Sequence, residues 1–342
     1  MNKSLKFENI FIILILLLIF LKYEKYISNS FPLFYVNFSE LSIANEIIDK
    51  DDKEIYLKNK TKFYLINRTR FLFNYGIKYD ESKLITFQDK LNWLIVHESP
   101  EYKSFLADKI NLHNYSQRII GKDICVPVLK IYDNISEINL NDLPKKFVLK
   151  LNHGSGMNLI CNDKEKLNFT KALKTLNNWK NINYGLKKSE FQYAYIKRKI
   201  FLEKFLGDNL IDYKIFCFNG VPKFIRVRKI IKGKIYKKIH NHYNIYWKLN
   251  KLESGLNGYI RDPNVKINKP KNLDLMIKYS KMLSKEFVFV RVDFYEVNDQ
   301  VYLGELTFSP SNSFLNWKNK LQSIYVAKMM NLRKIKSYLF NK

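Results

Sequence analysis

The sequence predicts an α+β fold, and three observations predict it. Hairpin signals recur along the chain: Asn219-Gly220 between two apolar runs, a polar turn within Val297–Gln300 between two more, and a Gly-Ser-Gly tip inside residues 147–161. Apolar residues at helical spacing lie between these hairpins, most clearly in NLDLMIKYSKMLSK. Strands and helices are intermixed along the chain, which is the α+β pattern. The 342 residues are 46% hydrophobic and 15% aromatic, enough for a sizeable core and too apolar for a disordered chain.

Taken in order, the chain opens with IFIILILLLIFL, Ile10 to Leu21, which holds no polar residue. The run is shorter than the ~20 residues that span a bilayer as a helix. Phe7 and the flank from Tyr23 to Ile27 extend it, with Lys22 and Lys25 able to snorkel. No small-x-small cleavage site follows, so residues 1–27 are expected to be a membrane anchor, with a cleaved signal as second choice. Residues 28–62 show no period and read as linker or stalk. Residues 63–145 are mostly helical: KLITFQDKLNWLIVHES spaces Leu91, Trp93, Leu94 and Val96 as a helix does, and FLADKINLHNYSQRIIG reads as one further helix closed by Gly121. VPVLKIYDNISEI is strand then turn.

A second division, 146–202, starts with the 147–161 hairpin and continues through a helical stretch at 165–199. A third, 203–320, starts within the strand KIFLEKFL. It holds a hairpin in DYKIFCFNGVPKFIRVRK, a strand pair in KIYKKIHNHYNIYWKL, an amphipathic helix and a last hairpin in FVFVRVDFYEVNDQVYLGELTFSP. Residues 321–342 read as a basic, helical end.

The net charge is +27, but the lysines are scattered and form no single stripe. That argues against nucleic acid as a partner and leaves a basic surface suited to anionic substrates. Cys125, Cys161 and Cys217 are odd in number and lack C-x-x-C spacing, so neither a disulfide framework nor a zinc site is expected. They fit a reducing compartment. The tripeptide His240-Asn241-His242 resembles a nuclease label, but no second cluster follows at metal spacing. Its two histidines fall on one face of an expected strand, from which an acidic acceptor could be contacted.

Three stretches carry chemistry. In FVLKLNHGSGMN a strand ends at Lys150 and a glycine-rich tip follows, His153 to Gly156. Glycines let backbone N–H groups approach phosphate oxygens, and Lys150 adds a point charge. An ordinary hairpin turn has the same residues, and the P-loop spacing is absent. In VRVDFYEVNDQVYLGELTFSP, Asp293 and Glu305 fall roughly opposite each other on paired strands, with Arg291 on the face of Asp293. Two carboxylates there need a cation: magnesium carrying nucleotide phosphates, or Arg291 bridging both. In KIFLEKFLGDNLIDYKIFC, Glu203 ends a strand where it could accept from an adenine amino group or a ribose. Asp212 and Lys214 share a face of the next strand, where a surface salt bridge is the plainer reading.

Lysine on a strand, Gly-rich hairpin, Glu, then Asp…Glu on paired strands is the order found in ATP-grasp enzymes. The chain resembles the TupA-like ATP-grasp family in FLADKINLHNYSQRIIG with PVLKIYD, LPKKFVLKLNHGSGMNLIC, DYKIFCFNGVPKF and FVFVRVDFYEVNDQVYLGELTFSP, over roughly residues 85–315. The resemblance implies two α+β subdomains clamping ATP behind a pre-grasp region. It implies Lys150 on the α- and β-phosphates, His153, Gly154, Ser155 and Gly156 in a lid loop, Glu203 in the adenine hinge and Lys214 near phosphates or base. Arg291 would face the γ-phosphate, and Asp293 and Glu305 would hold magnesium. Thr307 stands where many such enzymes place Asn, a weaker third metal ligand.

The family is associated with cell-surface polymers and is often labelled as glycosyltransferases. The implied activity is an ATP- and magnesium-dependent carboxylate–amine ligase in surface polysaccharide or capsule synthesis, acting on a carboxylated sugar or precursor. A glycosyltransferase or a sugar phosphotransferase is the alternative. Because ATP is cytoplasmic, the implied location is the cytoplasmic face of a bacterial inner membrane.

Overall fold

The computed structural model describes residues 79–98, 100–208, 210–231, 237–255, 258–311 and 315–334, with Asn67, Arg68 and Phe71 besides. The expected anchor and the linker at 28–62 lie outside the described residues. Among those described, no helix is long and apolar enough to cross a membrane. The chain divides into two compact units, and the second, from Asp80 onward, carries everything below.

A helical segment comes first. Helix α1 (Phe87–His97) starts at a capping box: Thr86 accepts from the Asp89 backbone N–H while the Asp89 carboxylate accepts from that of Thr86. It buries Phe87, Leu91 and Leu94. The stretch expected as one helix up to Gly121 is two, α2 (Pro100–Ala107) and α3 (Leu112–Ile120). The break is local chemistry: the Asp108 carboxylate accepts from the Ile110 N–H at 2.9 Å, diverting the backbone into a turn. Gly121 closes α3 at φ 87°, as its position predicted.

A four-stranded antiparallel sheet follows, in the order β1-β4-β2-β3, from β1 (Val128–Tyr132), β2 (Phe147–Leu151), β3 (Asn158–Cys161) and β4 (Ile200–Lys204). It takes in β1, which the division at residue 146 left with the preceding region. Alternation sorts its faces. Phe147, Leu149, Leu151, Ile200 and Leu202 join Leu176 of helix α4 (Phe169–Asn181) in one core cluster. Val148 and Lys150 of β2, and Glu203 of β4, line a cleft on the other face. The expected helix at 165–199 ends at α4; a short α5 (Tyr184–Lys188) and a 3-10 turn at Phe191–Tyr195 complete it.

The second sheet has six strands in the order β11-β10-β5-β6-β7-β9. These are β5 (Asp212–Phe218), β6 (Val221–Ile231), β7 (Lys237–Asn244), β9 (Tyr259–Ile260), β10 (Phe289–Val297) and β11 (Gln300–Thr307). A ribbon of β8 (Ser254–Gly255) with β12 (Asn316–Trp317) stands apart. Asn219 and Gly220, at φ 50° and 77°, make the β5–β6 turn, and Asn298 and Asp299, at 50° and 61°, the β10–β11 turn. Both central residues left-handed is the turn that matches strand twist in two-residue hairpins. Of the expected strand pair at 234–249, the described residues hold the strand β7, followed by a turn in which Asn244 caps Tyr246 and Lys248.

The middle of one face of this sheet is apolar. Ile215, Cys217, Ile225, Val227, Val290, Val292 and Phe294 pack with Leu273, Met276 and Leu283 of α6 (Leu273–Leu283) and Tyr115 of α3. The other face changes character along its strands. At one end Phe216, Phe218, Phe224 and Phe289 pack with α1 and with Val326 and Ala327 of α7 (Lys320–Ala327). Two residues further along each strand the same face carries Lys214, Arg226 and Arg291, then Asp293. The aromatic end fixes the sheet against its helices, and the charged end is left for the site. The three cysteines are free and buried. The basic end, as far as it is described, is α7 and a 3-10 turn at Leu332–Lys334.

Candidate active site

Two adjoining clefts lie between the sheets. The first, of about 490 Å³, is walled by Val126, Val148, Lys150, Glu203, the chain from Lys204 to Gly207, and Tyr295. Val148 and Glu203 are register partners, so Lys150 sits diagonally across from Glu203 on the same face, and the two side chains form an ion pair. Apolar walls with this one charged pair and a stretch of backbone edge suit a flat, polar-edged ring.

The second cleft, of about 540 Å³, is polar: Ser155, Glu190, Tyr193, Lys214, Arg228, Arg291, Glu305, Thr307, Ser309 and Ser311 line it. Arg291 and Asp293, two apart on β10, share a face, and Asp293 is the register partner of both Lys214 on β5 and Glu305 on β11. Glu305 reaches that face only through a bulge. The pairing runs from Val297↔Gln300 to Phe294↔Leu303, then skips Gly304 to give Asp293↔Glu305. Without the skip, Glu305 would point into the apolar core. Glycine is required because a Cβ at 304 would come within 2.9 Å of the Tyr295 ring.

Arg291 grips Asp293 with two parallel bonds, Nε to Oδ1 at 2.6 Å and Nη2 to Oδ2 at 2.7 Å, and also reaches Glu305 and Thr307, each at 3.0 Å. Lys214 Nζ donates to Asp293 Oδ2 at 2.6 Å. Burial opposes ionisation of Asp293, but the Arg291 guanidinium and Lys214 ammonium outweigh it and hold its pKa well below the usual carboxylate range. Arg291 therefore bridges both acids, one of the two arrangements the sequence left open. Glu305 is the more open of the two acids, its side chain 24% exposed against 3% for Asp293.

The glycine-rich tip lies over this region. Gly156 has φ +77° in open space, while a Cβ on Gly154 would meet Tyr184 and Met157 at 2.9 and 3.0 Å. One glycine serves backbone conformation and the other close packing. Ser155 is exposed and lines the polar cleft. His153 is buried, with Nε2 3.2 Å from the Ile182 carbonyl; burial and nearby Arg198 push its pKa down to about 4. A neutral imidazole engaged with Ile182 anchors the tip.

The structure thus brings Lys150 to Glu203, and Lys214, Arg291, Asp293, Glu305 and Thr307 to one another, with Ser155 at their edge. A family model described as TupA-like ATPgrasp matches residues 89–324. The chain belongs to the TupA-like ATP-grasp family. Comparison with curated proteins finds no match. Among solved structures it is similar to D-alanine–D-alanine ligase from Bacillus anthracis, at 16% identity and TM-score 0.42, covering 71% of this chain and 70% of that one. It is also similar to D-alanyl-alanine synthetase A from Vibrio cholerae O1 biovar eltor, at 12% and 0.40, covering 71% of each.

In this TupA-like ATP-grasp chain several site residues escaped the sequence reading, Lys109 and Glu190 foremost. Lys109, at the break between α2 and α3, donates to the Gly154 carbonyl at 2.6 Å and lies over the Tyr193 ring. Burial lowers its pKa, against the pull of Glu305. Glu190 is 4% exposed and accepts from Ser309 at 2.8 Å, a hydroxyl that in turn accepts from Gln192. Burial, aided by Glu305 and opposed by Ser309 and Arg291, pushes the Glu190 carboxyl up to about 7. An acid adjoining a helical run without period gave no signal; the Asp108-Lys109 pair at a helix break was the one trace available.

Proposed function

We propose that this chain is an ATP- and magnesium-dependent ligase of the carboxylate–amine type, acting on a carboxylated sugar or polysaccharide precursor in surface polysaccharide or capsule synthesis. The observation that carries it is the placement of the Lys150–Glu203 pair beside an apolar cleft, next to the Arg291–Asp293–Glu305–Lys214 cluster in a polar one. In this reading the adenine lies in the first cleft, with the edge of the base at Glu203 and the backbone after it, and the phosphates run past Lys150 toward Lys214 and Arg291. Of the three expected ligands, the more open Glu305 is the one placed to offer magnesium a hard oxygen atom; both Asp293 oxygens and the Thr307 hydroxyl are taken by Arg291 and Lys214, so they would join it only where those cations turn to the phosphates. Magnesium held there would offset charge on the transferred phosphoryl group.

The remaining chemistry belongs to the chain. Arg291, fixed by Asp293, presents a preorganised cation where charge develops on the phosphoryl oxygens. The 152–157 tip, held by Lys109, excludes water above it. Glu190 takes the proton from the attacking amine: a buried carboxyl poised near neutral pH suits a general base. The segment at 1–27 anchors the enzyme to the inner face of the membrane, where ATP and lipid-linked precursors meet.

The test is a coupled assay on the full chain with magnesium-ATP, glucuronate as carboxylate and hydroxylamine as amine surrogate. The proposal expects ADP and phosphate release together with a hydroxamate, dependent on the carboxylate. Sugar transfer from a nucleotide-sugar without ATP consumption would overturn it in favour of the glycosyltransferase.

A further inference from the structure

The charged face of the six-stranded sheet continues beyond the site just described. Register partners run across it as Asp293↔Lys214↔Arg226↔His242, with Asp212↔Arg228↔His240 alongside. Neighbouring strands lie about 4.8 Å apart, so Arg226 is one strand from Lys214 and His242 two.

This patch is short of partners. Arg226 is 0% exposed and stacks over Phe216 at 5.2 Å. Its Nη1 reaches Ser254 Oγ at 3.5 Å, while Nε and Nη2 have no hydrogen-bond partner among the described residues. Arg228 Nε is likewise unpartnered, its guanidinium resting over Tyr259 at 5.0 Å. Among the described residues both ring nitrogens of His240 are buried without partners, and the buried His242 ring has only the Leu252 backbone to bond to. Among the described residues no acid forms an ion pair with Arg226, Arg228, His240 or His242, and the nearest acids are already engaged. Asp293 is held by Arg291 and Lys214, Asp212 by Lys214, and Glu253 by Lys318. Burial and Arg226 lower the pKa of both histidines, and Arg228 adds to this at His240, which is pushed down to about 4.

Buried polar groups are nearly always satisfied, and leaving several bare on one patch is costly. The bare atoms also have a shape. Nε and Nη2 form the edge of a guanidinium that takes an oxyanion side-on with two parallel bonds. The half-buried Arg228 lines the polar cleft beside Lys214 and Arg291, and through it the buried patch adjoins the place where the phosphates would end.

We propose that Arg226, Arg228, His240 and His242 form a second oxyanion subsite, which holds a carboxylate or phosphate of the acceptor. Resting on the ligase reading, this makes the acceptor polyanionic: one carboxylate is activated at Arg291, and a further oxyanion is held one to two strands away.

The experiment is titration calorimetry on the full chain with glucuronate and with glucose 1-phosphate, against neutral glucose, and separately with magnesium-ATP. At least one sugar oxyanion is expected to bind tenfold or more tighter than glucose, and which one binds tells carboxylate from phosphate. Arg228→Gln is expected to weaken that binding tenfold. Lys150→Met is expected to weaken magnesium-ATP and leave the oxyanion unaffected. Arg226→Met supplies a readout that a structural arginine would not give. Removing a buried, half-bare cation is expected to raise the unfolding midpoint by a few degrees while abolishing oxyanion binding. The proposal is overturned if neither oxyanion binds better than glucose, or if Arg226→Met lowers the midpoint and binds the oxyanion as wild type does. Oxyanion binding without magnesium-ATP binding would sink the ligase reading and leave the subsite standing.

Discussion

Replacing Asp293 by Asn tests the cation cage directly. Asp293 Oδ1 takes one bond from Arg291, and Oδ2 takes one from Arg291 and one from Lys214. An amide has a single acceptor oxygen, so its NH2 must face at least one of these donors, and both buried cations lose their counter-charge. Breaking a buried pair costs about 3–5 kcal/mol. At the roughly 2–4 °C per kcal/mol expected for a large domain, the unfolding midpoint of Asp293→Asn falls by about 6–20 °C at pH 7. Thermal scanning of the full chain in detergent, beside the more exposed Glu305→Gln, reads it. The sign of the acid response follows from the same carboxylate. Its folded pKa is depressed, so its contribution is present above the unfolded value of 3.8 and is lost as pH falls further. Wild type therefore converges on the Asn variant in acid. A midpoint loss below about 2 °C, or an equal gap at pH 7 and in strong acid, would refute the cage as a net source of stability.

Three further outcomes are expected. Glu190 has a folded pKa raised from 4.5 to about 7, so wild type loses stability as pH climbs through that window, by about 3 kcal/mol, and Glu190→Gln removes the slope in pH-dependent melting. In the ligase assay the same variant loses about 10²–10⁴ in rate along with the rise of activity near pH 7. Gly304→Ala pushes a methyl against Tyr295, which costs about 1–3 kcal/mol and weakens nucleotide binding by displacing that ring, as melting and titration would show. Lys150→Met strips the cation from the nucleotide cleft and leaves Glu203 unpaired there; titration is expected to show ATP affinity falling at least tenfold.

How much of this was legible follows from how local each feature is. Asn219-Gly220 and Asn298-Asp299 fixed two hairpins because left-handed turn residues act on their immediate neighbours. Arg291 and Asp293 shared a face by strand alternation alone. The bulge was harder: a strict count across the Asn298-Asp299 turn pairs Asp293 with Gly304, and only the tight fit of Tyr295 over that glycine shows that the register skips. Strand order was harder still. Nothing in sequence distance says that β5 lies between β10 and β6, which is what seats Lys214 between Asp293 and Arg226. Lys109 and Glu190 stand beside helix breaks, and tertiary packing, not periodicity, brings them to the cleft.

The measurement closest to the central claim is the unfolding midpoint of the full chain with and without magnesium-ATP, with Glu305→Ala as control. A ligand that binds only the folded state adds ~2.7 kcal/mol at a hundredfold excess over its Kd. The account predicts a midpoint several degrees higher with magnesium-ATP for wild type and a much smaller rise for Glu305→Ala. No shift with magnesium-ATP, alongside a shift with a nucleotide-sugar, would contradict it.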